Sequence, residues 1–429
     1  MTDLLVLING NLAGRAFADK NGHPHFTYED DWRNSRDAIP LSLSLPLAAT
    51  THDSSAVAAV MWGFLPDNEH VLQRWASSFQ VSPRNPLALL AHVGEDCAGA
   101  AQFIRPERLD DIRDGQGDNV DWLDDAEVEQ RLRSVRQDAG TTRYQSDLGQ
   151  FSLPGAQPKI ALHHEEGRWG IPHGRTPTTH ILKPPTGAYE GYVENEHFCL
   201  TLAKRLGLSV CDSAVLRFGE ETTICVTRYD RQLEQGRWWL VHQEDFCQAL
   251  GVMPQRKYQN QGGPSPVQME TILRQYSSQP QKDRTNFFFA LIVNWLIGGT
   301  DAHAKNYSLL MGGHSGVRLA PLYDISSALP YPQLDRRRLK IAMRVGSHYR
   351  WHDITLRDWL RTGAEMGFSA DYTRHALALA ADSAADSAAS VADELQGGGL
   401  DHPIVDDLRN AVVESAERCS RMLTEVIGV

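Results

Sequence analysis

The first region of the chain has the short-period pattern of strands, with helical stretches behind it. Its opening residues predict two strands around an Asn9-Gly10 turn, and residues 41–47 alternate leucine with serine or proline, as a half-buried strand does. Two helices are predicted next, at 68–79 and 85–92. Residues 1–105 are therefore expected to form a small α+β module.

The middle of the chain changes from charged to apolar stretches. Residues 106–148 are rich in Asp, Arg and Gln and predict a linker or surface segment, with one exposed helix at 128–135. Residues 149–235 return to strand patterns, including a strand at 179–183, and contain a helix at 194–206. We expect this stretch to form a second α/β domain.

Residues 236–429 have a mainly helical pattern. Residues 283–297 predict a strongly apolar helix, and an alanine-rich helix over 372–395 ends before a run of glycines. A strand-rich first half and a helical second half predict an α+β fold with the plan of a two-lobed kinase. Many α+β proteins share that plan, so the pattern alone does not decide the function.

The balance of charges narrows the range of partners. The chain has 42 Lys and Arg against 54 Asp and Glu, a formal net charge of −12. An acidic chain repels a phosphate backbone, so a basic partner is expected to make most of any DNA contact. The best basic run, Arg336-Arg337-Arg338 with Lys340, is short and typical of a solvated face; a phosphate or peptide contact is the alternative.

Cysteine usage and the apolar runs indicate a cytoplasmic protein without a membrane segment. The six cysteines are scattered, without a Cys-x-x-Cys pair, which is typical of reduced thiols in a cytosolic protein. The most apolar run, 287–299, is interrupted by Asn294 and is too short to cross a bilayer. No targeting segment is visible at the start of the chain.

The strongest chemical signal lies directly after the apolar helix at 283–297. Kinases need a carboxylate that orients the attacking hydroxyl and oxygen ligands for Mg²⁺. Asp301 and Asn306 have the Asp-x-x-x-x-Asn spacing of a kinase catalytic loop. Asp324 follows a predicted hairpin, and the apolar residues around it predict a short strand. The bare spacing fits a capping Asp and a turn Asn equally well. Helix, loop, hairpin and second Asp together favour the kinase interpretation.

Two weaker signals precede this loop. Lys183 ends a predicted strand, where a kinase lysine neutralises ATP phosphates and pairs with a helix glutamate, here Glu194 or Glu196. A surface lysine on a strand explains Lys183 equally well. Residues 152–159 place a glycine-containing loop before a strand, where backbone N–H groups can bind phosphate, although an ordinary turn is the default interpretation.

These residues resemble a known family in their order along the chain. The resemblance is to HipA, the kinase toxin of bacterial HipBA modules, and it covers nearly the whole sequence. The motifs that carry it are Pro40-Leu-Ser-Leu-Ser-Leu-Pro-Leu, Ser152-Leu-Pro-Gly-Ala-Gln-Pro-Lys, Thr176-Pro-Thr-Thr-His-Ile-Leu-Lys, Asn195-Glu, Arg228-Tyr-Asp-Arg, Gln243-Glu-Asp-Phe-Cys-Gln, Thr300-Asp-Ala-His-Ala-Lys-Asn and Tyr323-Asp-Ile.

The resemblance implies a fold, an activity and partners. The fold would be two-lobed and protein-kinase-like, with an extra N-terminal subdomain, a strand-rich N-terminal lobe and an all-helical C-terminal lobe. The enzyme would use ATP and Mg²⁺ to phosphorylate Ser or Thr of a protein, with an aminoacyl-tRNA synthetase such as glutamyl-tRNA synthetase as the expected target. Translation arrest and persistence would follow. A HipB-type helix-turn-helix antitoxin dimer would bind the kinase and carry it to operator DNA.

The resemblance also assigns roles to residues. Asp301 would be the catalytic base, Asn306 and Asp324 the metal ligands, and Ser152 the autophosphorylated serine that inactivates the enzyme. Pro154 and Thr227 depart from the family pattern, in the phosphate loop and the hinge. The implied ATP contacts are Pro154, Gly155, Ala156, Gln157, Pro158, Lys159, Lys183, Thr227, Arg228, Tyr229, His303, Ala304, Lys305, Asn306, Tyr323 and Asp324.

Two other functions remain open at this point. A kinase fold could phosphorylate a small molecule, because the Asp-x-His-x-x-Asn form of the loop also resembles lipid kinases. A non-catalytic co-repressor working with a DNA-binding partner is the other alternative. The intact set of Asp301, Asn306, Asp324 and Lys183 argues against a purely non-catalytic role.

Overall fold

A computed structural model describes residues 3–137, 151–185, 187, 189–312 and 316–424. Two compact units make up this part of the chain. The first comprises the described residues within Met1–Thr186, Leu216–Gln255 and Leu309–Val317, and the second those within Gly187–Val215, Arg256–Ser308 and Arg318–Val429. Residues 138–148 of the predicted linker and 313–315 of the predicted hairpin lie outside the described residues. The domain limits inferred from the sequence stay predictions.

The N-terminal module is a four-stranded antiparallel sheet packed against helices, as the sequence predicts. The sheet has the order β3-β2-β1-β5, and an asparagine or aspartate side chain caps each of the longer helices. The elements are β1 (Asp3–Ile8), β2 (Asn11–Ala18), β3 (Pro24–Tyr28), α1 (Asp30–Arg33), α2 (Ser54–Gly63), α3 (Glu69–Phe79), α4 (Pro86–Val93), β4 (Asp96–Cys97) and β5 (Ala101–Ile104).

Residues 41–47 form a turn, and the predicted strand is wrong. Leu45 N–H donates to Ser42 O, and the hydroxyl groups of Ser42 and Ser44 both donate to Gln248 O. Leu43 N–H donates to a carboxylate oxygen of Glu244. The leucines at 41 and 45 are buried because partners about 200 positions away in sequence hold the turn.

The next part of the chain builds a six-stranded sheet of order β11-β12-β10-β8-β9-β6. The helix predicted at 128–135 is confirmed as the longer α6. It is exposed on one face only, because Val128, Leu132 and Val135 on the other face pack onto the sheet. The elements are α5 (Leu109–Asp114), β6 (Asn119–Leu123), α6 (Asp125–Gln137), β7 (Phe151–Ser152), β8 (Ile160–Glu165), β9 (Arg168–His173), β10 (His180–Lys183), α7 (Tyr192–Arg205), β11 (Ser213–Phe218) and β12 (Glu221–Thr227).

The remaining part of the chain is mainly helical, with short strands between the helices. The elements are β13 (Arg231–Glu234), β14 (Arg237–Leu240), β15 (His242–Asp245), α8 (Phe246–Ala249), α9 (Pro266–Tyr276), α10 (Pro280–Leu296), β16 (Ser308–Gly312), β17 (Gly316–Leu319), β18 (Lys340–Val345), β19 (His348–Arg350), α11 (Leu356–Glu365), α12 (Ala370–Gly397) and α13 (Ile404–Thr424). The α+β class is confirmed. The all-helical description of the C-terminal lobe needs the hairpin of β18 and β19 added to it. None of the described helices is both long and apolar enough for a bilayer.

A buried cluster of charges joins the N-terminal module to the six-stranded sheet within the first unit. We call Asp96, Arg228, Asp230 and Arg231 the charge cluster. Arg231 pairs with Asp96 at 2.6 Å and Arg228 with Asp230 at 2.8 Å, and all four residues are largely buried. Burial opposes ionisation of Asp230, but the charges of Arg228 and Arg231 outweigh it and lower the pKa of Asp230 to about 2.

Candidate active site

A glycine turn places the predicted catalytic loop at the end of α10. Gly298 has a φ of +68°, and a Cβ there would lie 2.5 Å from a carbon of Leu329. Gly299 N–H donates to Asn294 O at 2.7 Å, which closes the helix. The chain therefore leaves a rigid, buried helix through a turn that only glycine fits, and Asp301 follows directly.

Asp301 is exposed but held in place. Its side chain is 56% exposed, and Tyr258 Oη donates a hydrogen bond to Oδ1. His303 Nε2 lies 3.8 Å from the same oxygen, and Asn306 Nδ2 donates to the Asp301 backbone carbonyl at 2.8 Å. A carboxylate that is oriented by donors and open to solvent can accept a proton from an incoming hydroxyl. Tyr258 was not predicted, because it lies 43 positions before Asp301.

The residues after Asp301 form a short, buried turn. Asn306 N–H donates to His303 O at 2.9 Å, and Ala304 N–H donates to Lys257 O at 3.3 Å. Tyr323 Oη donates to Lys305 O at 2.8 Å, so the Tyr323-Asp324 segment is tied to the loop that carries Asn306. Within the second unit, the structure brings together the two parts of the predicted catalytic motif.

Asp324 lies in irregular chain, and the short strand expected around it is wrong. Its φ of +57° is left-handed, a backbone conformation that costs energy for residues other than glycine and is enriched at functional sites. Leu322 before it forms one isolated parallel bridge with Val210. Behind it, Asn195 Nδ2 donates to Ser327 O and Asn195 Oδ1 accepts from Ser327 N–H, both at 2.8 Å. Asn195, which the sequence marks only as part of a motif, therefore holds the segment that follows Asp324 in place.

The oxygen atoms at Asn306 and Asp324 suit a magnesium ion. The amide NH₂ of Asn306 donates to Asp301 O, which orients the side chain and makes its oxygen the atom that can face a cation. In the described ranges, no group of three or more His, Cys, Asp or Glu is arranged as a metal site. Mg²⁺ in phosphoryl-transfer enzymes is held by one or two protein oxygens together with phosphate oxygens, so this donor set fits the ion.

In the first unit, the predicted phosphate loop is tied to the N-terminal module. Gly155 has a φ of +114°, its carbonyl accepts from Asp67 N–H at 3.1 Å, and Lys159 Nζ donates to Pro154 O at 2.6 Å. Ser152 is fully buried, and its hydroxyl donates to Phe64 O at 2.7 Å. The loop is therefore an ordered turn that is held by hydrogen bonds to Phe64 and Asp67 of the N-terminal module.

Lys183 stands at one end of an apolar sheet face. Strand pairing places Ile181 opposite both Ala161 and Val226, and Lys183 lies two residues further along β10 on that same face. Leu182 points to the other face, into the core under α6. An apolar face with a lysine at its end has the chemistry that a purine ring followed by phosphates requires, and in this structure Ala161 and Val226 are buried, at 2% and 7% exposure. The predicted pairing of Lys183 with Glu194 or Glu196 joins the two units and stays a prediction.

The predicted hinge is only partly available to a nucleotide. Thr227 is exposed. The side chain of Arg228 belongs to the charge cluster, and the backbone N–H of Arg228 donates to Thr179 O at 2.9 Å. Tyr229 Oη donates to Gln243 at 2.5 Å. An adenine contact at Arg228 is therefore limited to its backbone carbonyl. The hinge assignment stays a prediction, as do the other ATP contacts.

Replacing Tyr258 with phenylalanine is expected to lower kcat about tenfold with little change in KM for ATP, because Asp301, the predicted catalytic base, loses its orienting donor. Steady-state kinetics measure kcat and KM, and a thermal melt checks that the variant is folded. Tyr276→Phe, at a 47% exposed tyrosine of α9, is the matched control and should change neither value. An unchanged kcat for Tyr258→Phe would show that Asp301 is positioned without Tyr258.

Two family models match the chain in order. The HipA N-terminal domain matches residues 4–104, and the HipA-like C-terminal domain matches residues 151–395. The second match alone covers more than half of the chain.

Full-length relatives agree with the family models. A putative kinase of Sinorhizobium fredii, Y4mE, is 33% identical over 416 residues, which cover 95% of this chain and 96% of the relative. The serine/threonine-protein kinase toxin HipA of Shewanella oneidensis is 28% identical over 338 residues, 75% of this chain and 73% of the toxin.

A solved structure extends the likeness to the whole fold. The chain superimposes with a TM-score of 0.82 and 25% identity on a structure of the Shewanella oneidensis MR-1 toxin–antitoxin complex of HipA, HipB and operator DNA, covering 99% of both chains. Both domain models, the relative matched over nearly its full length and the shared fold agree. The chain belongs to the HipA family and is an enzyme of the serine/threonine protein kinase class.

Proposed function

We propose that this protein is a HipA-type kinase toxin that transfers the γ-phosphate of ATP to a Ser or Thr hydroxyl of a protein. The observation that carries the proposal is an exposed, oriented Asp301 linked through Asn306 and Tyr323 to the strained Asp324. A set of oxygens held in place by hydrogen bonds is what phosphoryl transfer requires, since catalysis there depends on positioning and charge stabilisation.

Each residue has a defined task in this proposal. Asp301 orients the acceptor hydroxyl and takes its proton as the new bond to the γ-phosphorus forms and the bond from that phosphorus to the departing ADP breaks. The side-chain oxygens of Asn306 and Asp324 would hold Mg²⁺, which would supply positive charge to neutralise the phosphates. Lys183 and the backbone of residues 154–159 would bind the remaining phosphate charge.

Ser152 is the proposed autophosphorylation site. Its hydroxyl is buried and already donates to Phe64 O, so a phosphate carrying about −1.5 to −2 charges does not fit the observed loop position. Phosphorylation would therefore require the loop to leave the position in which Ser152 contacts Phe64. The added phosphate would then stabilise the displaced loop. This geometry supports the proposal that autophosphorylation inactivates the enzyme by displacing the phosphate-binding loop.

The proposed partners rest on the likeness to HipA. The similar Shewanella oneidensis protein was solved with HipB and operator DNA, which supports a HipB-type antitoxin dimer as partner and operator DNA bound mainly through it. The net charge of −12 agrees with a DNA contact made by the antitoxin. An aminoacyl-tRNA synthetase as target, with translation arrest and persistence as consequences, rests on the family resemblance alone. Co-repression of its own operon is proposed on the same basis.

Incubation with γ-labelled ATP and Mg²⁺ tests the proposal. The expected result is labelled protein with Ser152 as the labelled residue, and loss of that label in Ser152→Ala but not in Ser78→Ala, which changes an exposed serine. Label found only in small molecules would support a small-molecule kinase instead. No turnover of ATP would leave a non-catalytic co-repressor, and the proposed function would be wrong.

A further inference from the structure

The hairpin of β18 and β19 in the second unit has an excess of positive charge. We call the five exposed cations on it and on the turn before it the basic hairpin surface: Arg337, Arg338, Lys340, Arg344 and Arg350. The run Arg336-Arg337-Arg338 with Lys340, predicted from the sequence to be a solvated face, supplies three of these cations. Arg336 is not part of the surface, because its guanidinium donates to Leu329 O and pairs with Glu414 at 2.7 Å.

Two of these cations lie directly opposite each other. The antiparallel pairing of the hairpin places Lys340 across from Arg350, and like charges in that position destabilise a two-stranded ribbon. In the described part of the chain, the ion pairs of the surface are with Asp335, 3.8 Å from Arg338, and with Asp353, 4.0 Å from Arg350. Both distances are long, and both arginines stay mostly exposed, so the surface keeps a net positive charge.

The surface is connected to the catalytic base by a short series of contacts. Arg344 N–H donates to Gln259 Oε1 at 2.7 Å. The residue before Gln259 is Tyr258, whose hydroxyl donates to Asp301. Through Gln259 and Tyr258, β18 is therefore connected to the side chain that would accept the substrate proton.

We propose that the basic hairpin surface binds an acidic segment of the protein substrate, rich in Asp or Glu and close in sequence to the phosphorylated hydroxyl. The inference rests on the proposed protein kinase function. Positive charge beside the acceptor site favours a carboxylate-bearing segment and disfavours a basic one, which supplies specificity and a faster encounter. A nucleic acid is the less favoured occupant, since its continuous phosphate charge would meet the remaining acidic surface of a chain of net charge −12.

Lys340→Glu separates binding from folding. The substitution turns the like-charged pair with Arg350 into an opposite-charged pair, so the melting temperature should stay the same or rise. The probes are two serine-centred peptides, one flanked by glutamates and the other by lysines. At low salt, the wild-type KM should be about tenfold lower for the glutamate peptide, and salt should reduce that difference.

The variant should raise KM for the glutamate peptide about three- to tenfold and leave kcat unchanged. Arg217→Glu, at a 67% exposed arginine of β11, is the matched control and should behave as wild type. Equal KM values for the two peptides, or an unaltered KM in Lys340→Glu, would overturn the proposal.

A binding measurement separates this inference from the kinase function. Fluorescence anisotropy with the same peptides, alanine replacing serine, needs no phosphoryl transfer. If no peptide is phosphorylated but the glutamate peptide binds and Lys340→Glu weakens it, the kinase function fails and the acidic-segment site stands. If Lys340→Glu weakens only a DNA or RNA oligonucleotide and not the glutamate peptide, the surface binds nucleic acid and the proposal is wrong.

Discussion

Asp301→Asn is expected to reduce phosphoryl transfer by about a thousandfold or more. The amide keeps the shape of the carboxylate but cannot accept the hydroxyl proton and lacks its charge. Because the side chain is 56% exposed, the melting temperature should change little. The measurement is the rate of transfer from labelled ATP, with a thermal melt on the same sample. Expression of the variant should also no longer arrest growth.

The matched control is Asp212→Asn, at an aspartate that is 73% exposed and paired with Lys204 on the surface. This variant should retain both transfer and growth arrest. Normal growth arrest by Asp301→Asn would contradict a mechanism based on phosphorylation. Loss of transfer in both variants would indicate general damage to the fold.

Asp230→Ala should give the largest loss of stability, about 3–5 kcal/mol. Arg228 and Arg231 are 4% and 7% exposed, and the variant would leave their charges without half of their buried counter-charge. It would also remove the acceptor of Gly99 N–H, bonded at 2.7 Å. Denaturant unfolding measures the loss, with Asp212→Ala as the exposed control.

The charge cluster should also control acid stability. The folded pKa of Asp230 is about 2, below the ordinary 3.8, so its stabilisation is fully present above about pH 4 and is lost as the pH falls towards 2. Asp230→Ala should lack this part of the acid transition. Replacing Arg228 and Asp230 together with apolar residues should cost less than Asp230→Ala, because one positive and one negative charge are removed together and Arg231 keeps Asp96 as its partner. A double variant that unfolds more easily than the single one would contradict this account.

Local patterns predicted the elements that carry the chemistry. The apolar helix before Asp301 and the helix around Asn195 depend on residues close in sequence, and the structure contains both. The strands β16 and β17 of the hairpin predicted after Asn306 are neighbours in one sheet, while its turn lies outside the described residues. Family resemblance added the order of the motifs. The fold class could therefore be predicted before any coordinates were known.

Interactions between distant residues could not be predicted in this way. The Leu-Ser repeat at 41–47 has the period of a strand, but hydrogen bonds to Glu244 and Gln248 make it a turn. Tyr258 carries no motif of its own, so its bond to Asp301 emerges only in three dimensions. The hydrogen bonds of Asn195 to Ser327 span 132 positions and explain why that asparagine belongs to the motif.

The contacts between the predicted phosphate loop and the N-terminal module matter for any attempt to shorten the protein. Strand β7 pairs in parallel with β4, and the loop's further supports at Phe64, Asp67 and Asn68 also come from the N-terminal module. Deleting that module would strip the loop of these anchors, although every residue assigned to chemistry would remain. Because residues 154–159 are the proposed phosphate loop, a truncated chain starting near residue 149 is expected to bind nucleotide poorly.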